Sequence, residues 1–346
     1  MTRRRSSVTS VDVARHAGVS QSAVSRAFAR GPERSGVSEE TRARILAAAE
    51  QLGYRPNAIA RSLVSRRSRI VALLFSYLDN PFYAEALEKL CLALQERGFH
   101  ALVFMMPATD EGVARTVSDL LEYQVDGIIT ASVELSSNIC EYCHDEGIPV
   151  VMFNRVQDDP RLSSVTTDNI TGGRLAARRL VEDGHRRIAL LAGWEQASTN
   201  RDREFGFTAE LAAHGLTLHA RAVGHFHLSR TREAVADLLA LPEPPDAVFV
   251  ANDYMALEAL SALRHDHGIS VPSDMAVVGF DDVPTAALPE FSLTSVRQPL
   301  DHMVSNAVRM LIEALDSTQM QPEHLALVPR LVARESTRNR TSPTRL

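Results

Sequence analysis

Thr9-Ser10-Val11-Asp12-Val13-Ala14-Arg15-His16-Ala17-Gly18-Val19-Ser20-Gln21-Ser22-Ala23-Val24-Ser25-Arg26 is the stretch on which the reading of this chain turns. It predicts a helix over 11–17, capped by Thr9 or Ser10, with Asp12 three residues past Thr9 at the spacing of a capping box. Gly18 supplies the left-handed conformation that ends a helix, and Ser20 caps the next helix, over 21–28. Val24, Ala27 and Phe28 recur at helical spacing and face a small core, which leaves Gln21, Ser22, Ser25 and Arg26 on the other side. A third helix follows Ser38. Glu39 and Glu40 stand in its first turn, where the helix dipole favours acids; Ile45, Leu46, Ala49 and Leu52 form its buried stripe, and Gly53 ends it.

Beyond Gly53, Pro56 can open a further helix through Asn57, Ala58 and Arg61 to Leu63. It has only about two turns, and isolated helices under ~12 residues are marginal in water, so it folds only when something else holds it. Ser65-Arg66-Arg67-Ser68-Arg69 is a basic linker. Residues 1–69 hold fourteen arginines and five acids, a net of +9; since the whole chain carries −6, the rest carries −15. A basic head on an acidic body favours phosphate contact at one end. A helix-turn-helix sets the first residues of its second helix against base edges in the major groove. Gln21 and Ser22 occupy that end, with Arg26 one turn on; glutamine can read adenine and arginine guanine. Leu63 has little local core to join and suits an apolar wedge between base pairs, with Arg61 toward phosphate or the minor groove. Lys89 is the chain's one lysine, so basic contacts are guanidinium contacts.

From Ile70 the pattern changes to short apolar runs alternating with amphipathic helices. Strands are predicted over 70–75, 101–106, 127–131, 150–154, 164–167, 188–192, 222–224, 247–251 and 275–280, with helices over 83–96, 174–183, 204–213 and 232–239. Such alternation means parallel sheets with right-handed crossovers, and about 270 residues suffice for two doubly wound units. Ligands of open α/β folds bind at the carboxyl ends of the strands. Taken alone, this body suits a sugar-binding transport component or an enzyme as well as a sensor. The basic head counts against the first, and no phosphate loop, nucleophile elbow or zinc-protease motif supports the second.

The 346 residues have ordinary apolar and charged fractions for a globular protein, with no apolar run of roughly 18 residues and no apolar leader after Met1-Thr2-Arg3-Arg4-Arg5. The expectation is a cytoplasmic, nucleoid-associated protein with no membrane segment. Cys140-Glu141-Tyr142-Cys143-His144 has the spacing of haem attachment, but that chemistry requires export, so structural cysteines are expected. The histidines at 214, 219, 225, 227, 265 and 267 show no readable ligand set, and neither metal nor cofactor is expected.

Residues 9–69 resemble the head and hinge of the lactose-repressor (LacI/GalR) family of bacterial transcription regulators. The resemblance rests on Val11-Asp12-Val13-Ala14, Ala17-Gly18-Val19-Ser20, Ala23-Val24-Ser25-Arg26, Val37-Ser38-Glu39-Glu40-Thr41-Arg42, Leu52-Gly53-Tyr54-Arg55-Pro56-Asn57 and Ala60-Arg61-Ser62-Leu63. It continues through the body in Asp79-Asn80-Pro81-Phe82-Tyr83, Asp168-Asn169 with Gly172-Gly173, Arg203-Glu204-Phe205-Gly206-Phe207, Ala251-Asn252-Asp253, Val278-Gly279-Phe280-Asp281-Asp282, Leu293-Thr294-Ser295-Val296-Arg297-Gln298-Pro299 and Arg334-Glu335-Ser336-Thr337. Two departures stand out: Ala23 replaces a common threonine, and 29–36 is about three residues longer than usual.

The resemblance implies a small all-α helix-turn-helix head on a periplasmic-binding-protein-like core of two doubly wound parallel-sheet subdomains. The bounds it implies are 1–55 for the head, 56–69 for the hinge helix and linker, 70–168 with 293–322 for the N-subdomain, 169–292 with 323–340 for the C-subdomain, and 341–346 for the tail. The chain would cross between subdomains near 167–171, 290–294 and 323–328. The DNA-contacting set becomes Thr9, Ser10, Ser20, Gln21, Ser22, Ser25, Arg26, Asn57, Ala58, Arg61 and Leu63. The effector cleft would use Asp79, Phe82, Tyr83, Asn154, Arg203, Phe226, Asn252 and Asp281, while Asp168 suits a helix cap better than a ligand contact. Asn, Asp and Arg bond hydroxyls and aromatic faces pack on sugar rings, so a carbohydrate effector fits; Arg155 and Arg201 add positive charge. A homodimer on a pseudo-palindromic operator, acting as an effector-controlled repressor, completes the expectation.

Overall fold

The computed structural model describes residues 8–28, 36–55, 67–106, 115–116, 118–120, 122–131, 143–157, 159, 161–317 and 321–337. The chain divides into two units, Met1–Ser68 and Arg69–Leu346. In the first, α1 (Ser10–Ala17), α2 (Gln21–Ala27) and α3 (Glu39–Leu52) enclose Val13, Ala14, Ala17, Val24, Ala27, Ile45, Ala48 and Ala49. The Asp12 carboxylate accepts from the backbone N–H (3.0 Å) and the hydroxyl (2.8 Å) of Thr9, closing the capping box. Those bonds hold its pKa below the usual carboxylate range. Gly18 and Gly53 both end helices at φ 66°, and Ser20 and Ser38 accept from the N–H groups of Ala23 and Thr41 at 3.2 Å. One position differs from the sequence reading: Leu46 is 39% exposed, and Ala48 is buried instead. Ile45, Ala48, Ala49 and Leu52 keep the i, i+3, i+4, i+7 spacing of one face, and Leu46 lies about 100° round from Ile45. The helix expected over 56–63, with Asn57, Ala58, Arg61 and Leu63, and the loop 29–35 lie outside the described residues.

The second unit begins with β1 (Ile70–Phe75), α4 (Pro81–Glu96), β2 (His100–Met105), β3 (Gly127–Thr130), β4 (Val150–Phe153) and β5 (Ser163–Thr167). It continues with α5 (Asn169–Glu182), β6 (Ile188–Ala192), α6 (Ser198–Ala213), β7 (Ala220–Val223), α7 (Leu228–Leu239), β8 (Ala247–Val250), α8 (Asp253–Ser261), β9 (Ala276–Asp281) and β10 (Thr294–Arg297). The chain ends in α9 (Leu300–Asp316), β11 (His324–Leu327) and β12 (Arg330–Val332). Two six-stranded sheets result, in the orders β11-β5-β4-β3-β1-β2 and β12-β10-β9-β8-β6-β7. Every pairing is parallel except β12 on β10. Central strands β1, β3, β4, β6, β8 and β9 are almost wholly buried apolar runs, as a sheet covered on both faces requires.

Three segments pass between the sheets. The first is Asp168, between β5 and α5; the second is Gln298-Pro299, between β10 and α9; the third is Val328-Pro329, between β11 and β12. This corrects two sequence expectations. The crossing placed near 290–294 falls after Arg297, because β10 pairs with β9 from Thr294↔Val278 to Arg297↔Asp281. Residues 324–327, assigned to the C-subdomain, pair with β5 from His324↔Ser164 to Leu327↔Thr167 and extend the first sheet. Both strands are four residues long and lack an apolar run, so hydrophobic pattern could not announce them. The helices also begin earlier than the sequence pattern predicts, at 81, 169, 198 and 228 rather than 83, 174, 204 and 232.

Helices α5 and α6 touch backbone to backbone. A β-carbon on Gly173 would stand 2.1 Å from the carbonyl oxygen of Arg203, and one on Gly206 would stand 2.0 Å from that of Ile170. Only hydrogen fits at either point, and the contact fixes where α6 carries Arg203.

Candidate functional site

Two sites emerge, one in each unit. In the head, Gln21, Ser22, Ser25 and Arg26 are exposed on α2, opposite buried Val24 and Ala27. The Gln21 amide donates to Ser10 Oγ at 3.1 Å, which brings the starts of α1 and α2 together. Ser20 and Ser22 share a hydroxyl bond of 2.9 Å. Thr9 and Ser20 are exposed and both serve as caps, so their polar atoms already have partners. The α2 face is braced from behind: Arg42 Nε donates to the Ala27 carbonyl at 3.2 Å, and the Phe28 and Tyr54 rings meet edge-on at 5.8 Å. An exposed row of amide, hydroxyl and guanidinium groups on a short braced helix can bond base edges and phosphates.

In the second unit the strand ends of both sheets converge. Asp281, the last residue of β9, accepts from Asn80 Nδ2 at 3.2 Å and from Gln298 Nε2 at 2.8 Å, and its Oδ1 lies 3.7 Å from Arg203. Arg203 also donates to Asn169 Oδ1 (2.8 Å) and the Ala251 carbonyl (2.5 Å), with its guanidinium carbon 3.5 Å from the Phe280 ring centre. Burial pushes the Asp281 carboxyl up, against the opposing pull of Arg203. Burial and then the charge of Asp281 push the Asp253 carboxyl well up in turn. From the other sheet, Asn154 donates to the Tyr83 hydroxyl at 3.2 Å, and Arg155 donates to those of Tyr77 and Tyr83 at 3.2 and 3.1 Å.

An aromatic chain spans the cleft. Phe82, Tyr83, Tyr77, Trp194 and Phe226 meet edge to face in succession, at centroid distances of 5.3, 5.2, 5.6 and 6.0 Å. Gly193 lets the Phe226 ring lie across the end of β6, since a β-carbon there would come within 2.1 Å of the ring. Of the eight non-glycine residues with positive φ among the described residues, five stand at these strand ends: Asn154, His225, Phe226, Asp281 and Asp282. Left-handed backbone costs on the order of 1 kcal/mol or more per residue outside glycine, least for Asn and Asp. Strain gathered at one cleft is a mark of a binding site rather than of general folding.

The structure brings together Tyr83, Asn154, Arg203, Phe226 and Asp281 from the sequence-predicted set, all buried. Phe82 is buried beside a side cavity of about 570 Å³ that it shares with Asp281 and Gln298. Asn252 is buried and caps α8, accepting from the Met255 N–H at 3.0 Å. Asp79 is exposed, and its neighbour Asn80 turns inward instead: Asn80 is the N-cap of α4, accepting from the Phe82 N–H at 3.0 Å, which aims the rest of its amide at Asp281. Asp168 caps α5 through Thr171, with bonds of 2.9 and 2.6 Å. Arg201 is exposed on α6 and paired with Asp202. Sequence reasoning missed Tyr77, Trp194 and Gln298. Tyr77 and Trp194 each stand two residues past a first strand, a shared position that could have flagged them, whereas Gln298 follows a strand that went unread.

Among the described residues, no group of three or more His, Cys, Asp and Glu side chains is placed to hold a metal, and no helix is long and apolar enough to cross a membrane. Cys143 is buried and Cys91 half-buried, while Cys140 lies outside the described residues.

Known proteins share both units. Residues 10–57 match the model of bacterial regulatory proteins of the lacI family, and residues 177–337 match that of the periplasmic binding protein-like domain. The HTH-type transcriptional regulator CelR of Thermobifida fusca is 36% identical over 344 residues, which cover 96% of this chain and 99% of that protein. A solved CelR–cellobiose complex superposes with a TM-score of 0.72 at 34% identity, over 95% of this chain and 99% of that one. The lac repressor dimer bound to operator and the anti-inducer ONPF superposes with a TM-score of 0.84 at 27% identity, over 96% and 99% of the two chains. With a helix-turn-helix head, a two-sheet core and a shared length of this extent, the chain belongs to the lacI family of bacterial regulatory proteins and is a DNA-binding transcriptional regulator.

Proposed function

We propose that this regulator is a homodimeric repressor that reads a pseudo-palindromic operator with its head and releases or grips it according to a carbohydrate bound in the cleft. The observation that carries the effector half is the ring of buried polar groups around Asp281, drawn from both sheets and flanked by the Tyr77–Trp194–Phe226 aromatics. That is the chemistry of a polyhydroxylated ligand: acceptors and donors for hydroxyls, ring faces for the apolar side of a sugar. Tyr83, Asn154, Arg203, Phe226, Asn252 and Asp281 are the residues we assign to it, with Asn80 in place of Asp79. Gln21, Ser22, Ser25 and Arg26 are those we assign to base and phosphate contact. The cleft groups are engaged with one another rather than paired as nucleophile and base, so we read a binding switch and not an enzyme. With DNA as its partner, we read the protein as working at the nucleoid in the cytoplasm.

The coupling also has a structural basis. Thr167, at the first crossing, donates to Gln298 at the second (2.6 Å), and Gln298 donates to Asp281 in the cleft. The N–H of Asp168 joins the Leu327 carbonyl at the third crossing (2.8 Å). A ligand that takes over Asp281 therefore disturbs bonds at the segments about which the two sheets would turn, and it shifts the equilibrium by its differential affinity for the two arrangements. The test uses Trp194, the chain's sole tryptophan. Sugars that change its fluorescence in the full-length protein should also change operator retention in a gel shift. A sugar that moves the fluorescence and leaves retention unaltered breaks the coupling, and a protein indifferent to operator libraries at low salt breaks the DNA reading.

A further inference from the structure

Arg155 and Arg203 are the two buried arginines among the described residues, at 2% and 3% exposure, and they are not equivalent. Arg203 has a carboxylate at 3.7 Å, a carbonyl, an amide and a ring face. Arg155 has two phenols. Its Nη2 bonds the hydroxyls of Tyr77 and Tyr83, while Nε and Nη1 have no hydrogen-bond partner among the described residues, nor does the adjacent Asn154 Oδ1. The other acid side chains of the cleft are committed. Asp281 serves Asn80 and Gln298 and lies against Arg203; Asp253 accepts from the Ser295 hydroxyl (2.6 Å) and the Val283 N–H; Asp282 pairs with Arg297 and Arg334. Of the two buried guanidinium groups, Arg203 thus lies against a carboxylate, whereas Arg155 has no carboxylate within ion-pair distance among the described residues. A buried charge left without partners is costly, and native proteins supply an opposite charge or full hydrogen bonding to such groups.

Resting on the cleft reading above, we propose that the effector is an anionic sugar derivative, whose carboxylate or phosphate binds Arg155 beside Asn154. A neutral sugar could satisfy the two N–H-bearing nitrogens with hydroxyls but would leave Arg155 without a counter-charge; an anion supplies both. The aromatic neighbours Tyr77 and Trp194 raise the discrimination, because they exclude the water that would otherwise screen the pair.

The experiment titrates the full-length protein with matched sets, following Trp194 fluorescence: glucose, glucuronate and glucose 6-phosphate; galactose, galacturonate and galactose 6-phosphate; cellobiose and cellobionate. At least one acid should bind 100-fold or more tightly than its neutral parent, and the carboxylate and phosphate arms tell the two anion sources apart. Arg155→Gln should reduce that preference to about threefold or less, and Arg155→Lys should keep part of it. A neutral parent that binds as well as its acids overturns the charge assignment and leaves the cleft reading standing. Silence from every sugar and acid overturns the cleft reading and the proposal with it. A second arm needs no ligand: if Arg155 is uncompensated, Arg155→Met should raise the melting temperature of the ligand-free protein by a few degrees. A lower melting temperature means that the charge is already satisfied within the fold, and overturns the proposal.

Discussion

Replacing Gly206 by alanine tests whether the contact between α5 and α6 is what places Arg203. The added β-carbon would lie 2.0 Å from the Ile170 carbonyl oxygen, 2.7 Å from its carbon and 2.9 Å from its α-carbon. A relaxed carbon–oxygen contact needs more than about 3 Å, and here the obstacle is helix backbone, which cannot swing aside as a side chain would. The helices must therefore part by about 1 Å. Overpacking of this type costs about 1–3 kcal/mol and more when backbone must move; alanine returns up to about 1 kcal/mol of helix propensity. A net loss of about 3 kcal/mol follows, which for a unit of this size is a fall of roughly 6–12 °C in melting temperature. The same movement pulls Arg203 from Asn169 Oδ1, now 2.8 Å away, so effector binding should weaken by tenfold or more. Gly268→Ala is the control: φ is 65° and nothing lies within 4 Å of the added carbon, so only conformational strain of about 1 kcal/mol applies. Calorimetry and Trp194 titration of both variants decide the matter. If Gly206→Ala melts within 2 °C of the parent, or no lower than Gly268→Ala, the close-contact argument fails.

Arg203→Ala should abolish the effector response and lower stability by about 3 kcal/mol, since it strands buried Asp281, while operator binding persists; a normal response in gel shifts would remove Arg203 from the cleft. Arg26→Ala should weaken operator binding by ten- to a hundredfold and relax selectivity at one base pair without touching effector-induced fluorescence, and unchanged selectivity in a binding-site selection would assign Arg26 to phosphate instead. Asp246 is buried, yet its pKa sits at about 2: burial works against it, but His185 at 3.4 Å and the N–H groups of Arg186 and Arg187 prevail. A carboxyl held below its ordinary 3.8 stabilises the fold above about pH 4 and loses that contribution as pH falls through about 2. Asp246→Asn should therefore cost about 2 kcal/mol at pH 7 and flatten the stability curve between pH 4 and pH 2; parallel curves for parent and variant in urea titrations would contradict this.

Much of the architecture was open to reading because it rests on local chemistry. The apolar runs 70–75 and 188–192 have the bounds of β1 and β6, and the Thr9–Asp12 box, the Gly18 and Gly53 stops and the Asp168 cap are short-range features spelled by two or three residues. What escaped was set by tertiary position. β10, β11 and β12 are short strands at the crossings, with exposed or polar residues, and only the neighbouring strand tells them from loops. Asp79 and Asn80 are equally polar neighbours; the geometry of the α4 cap turns one outward and the other in. Asp281 could be placed at a strand end, but its partners Asn80 and Gln298 lie 201 and 17 residues away along the chain.

Those separations explain why the cleft can govern the molecule. Asp281 belongs to the second sheet, Asn80 caps a helix of the first, and Gln298 sits on a crossing between them, so one carboxylate holds three parts of the fold in a single arrangement. Each bond is a charge-assisted or buried one, of a type worth about 1.5–3 kcal/mol. A ligand hydroxyl or acid that displaces Asn80 from Asp281 exchanges one bond between the sheets for a bond to itself. If the ligand also bonds the first sheet, through Asn154 or Tyr83, closure gains; if it does not, opening gains. The direction of the switch is therefore a property of where the ligand's second polar group falls, and two ligands of this one cleft can act in opposite senses without any change in the protein.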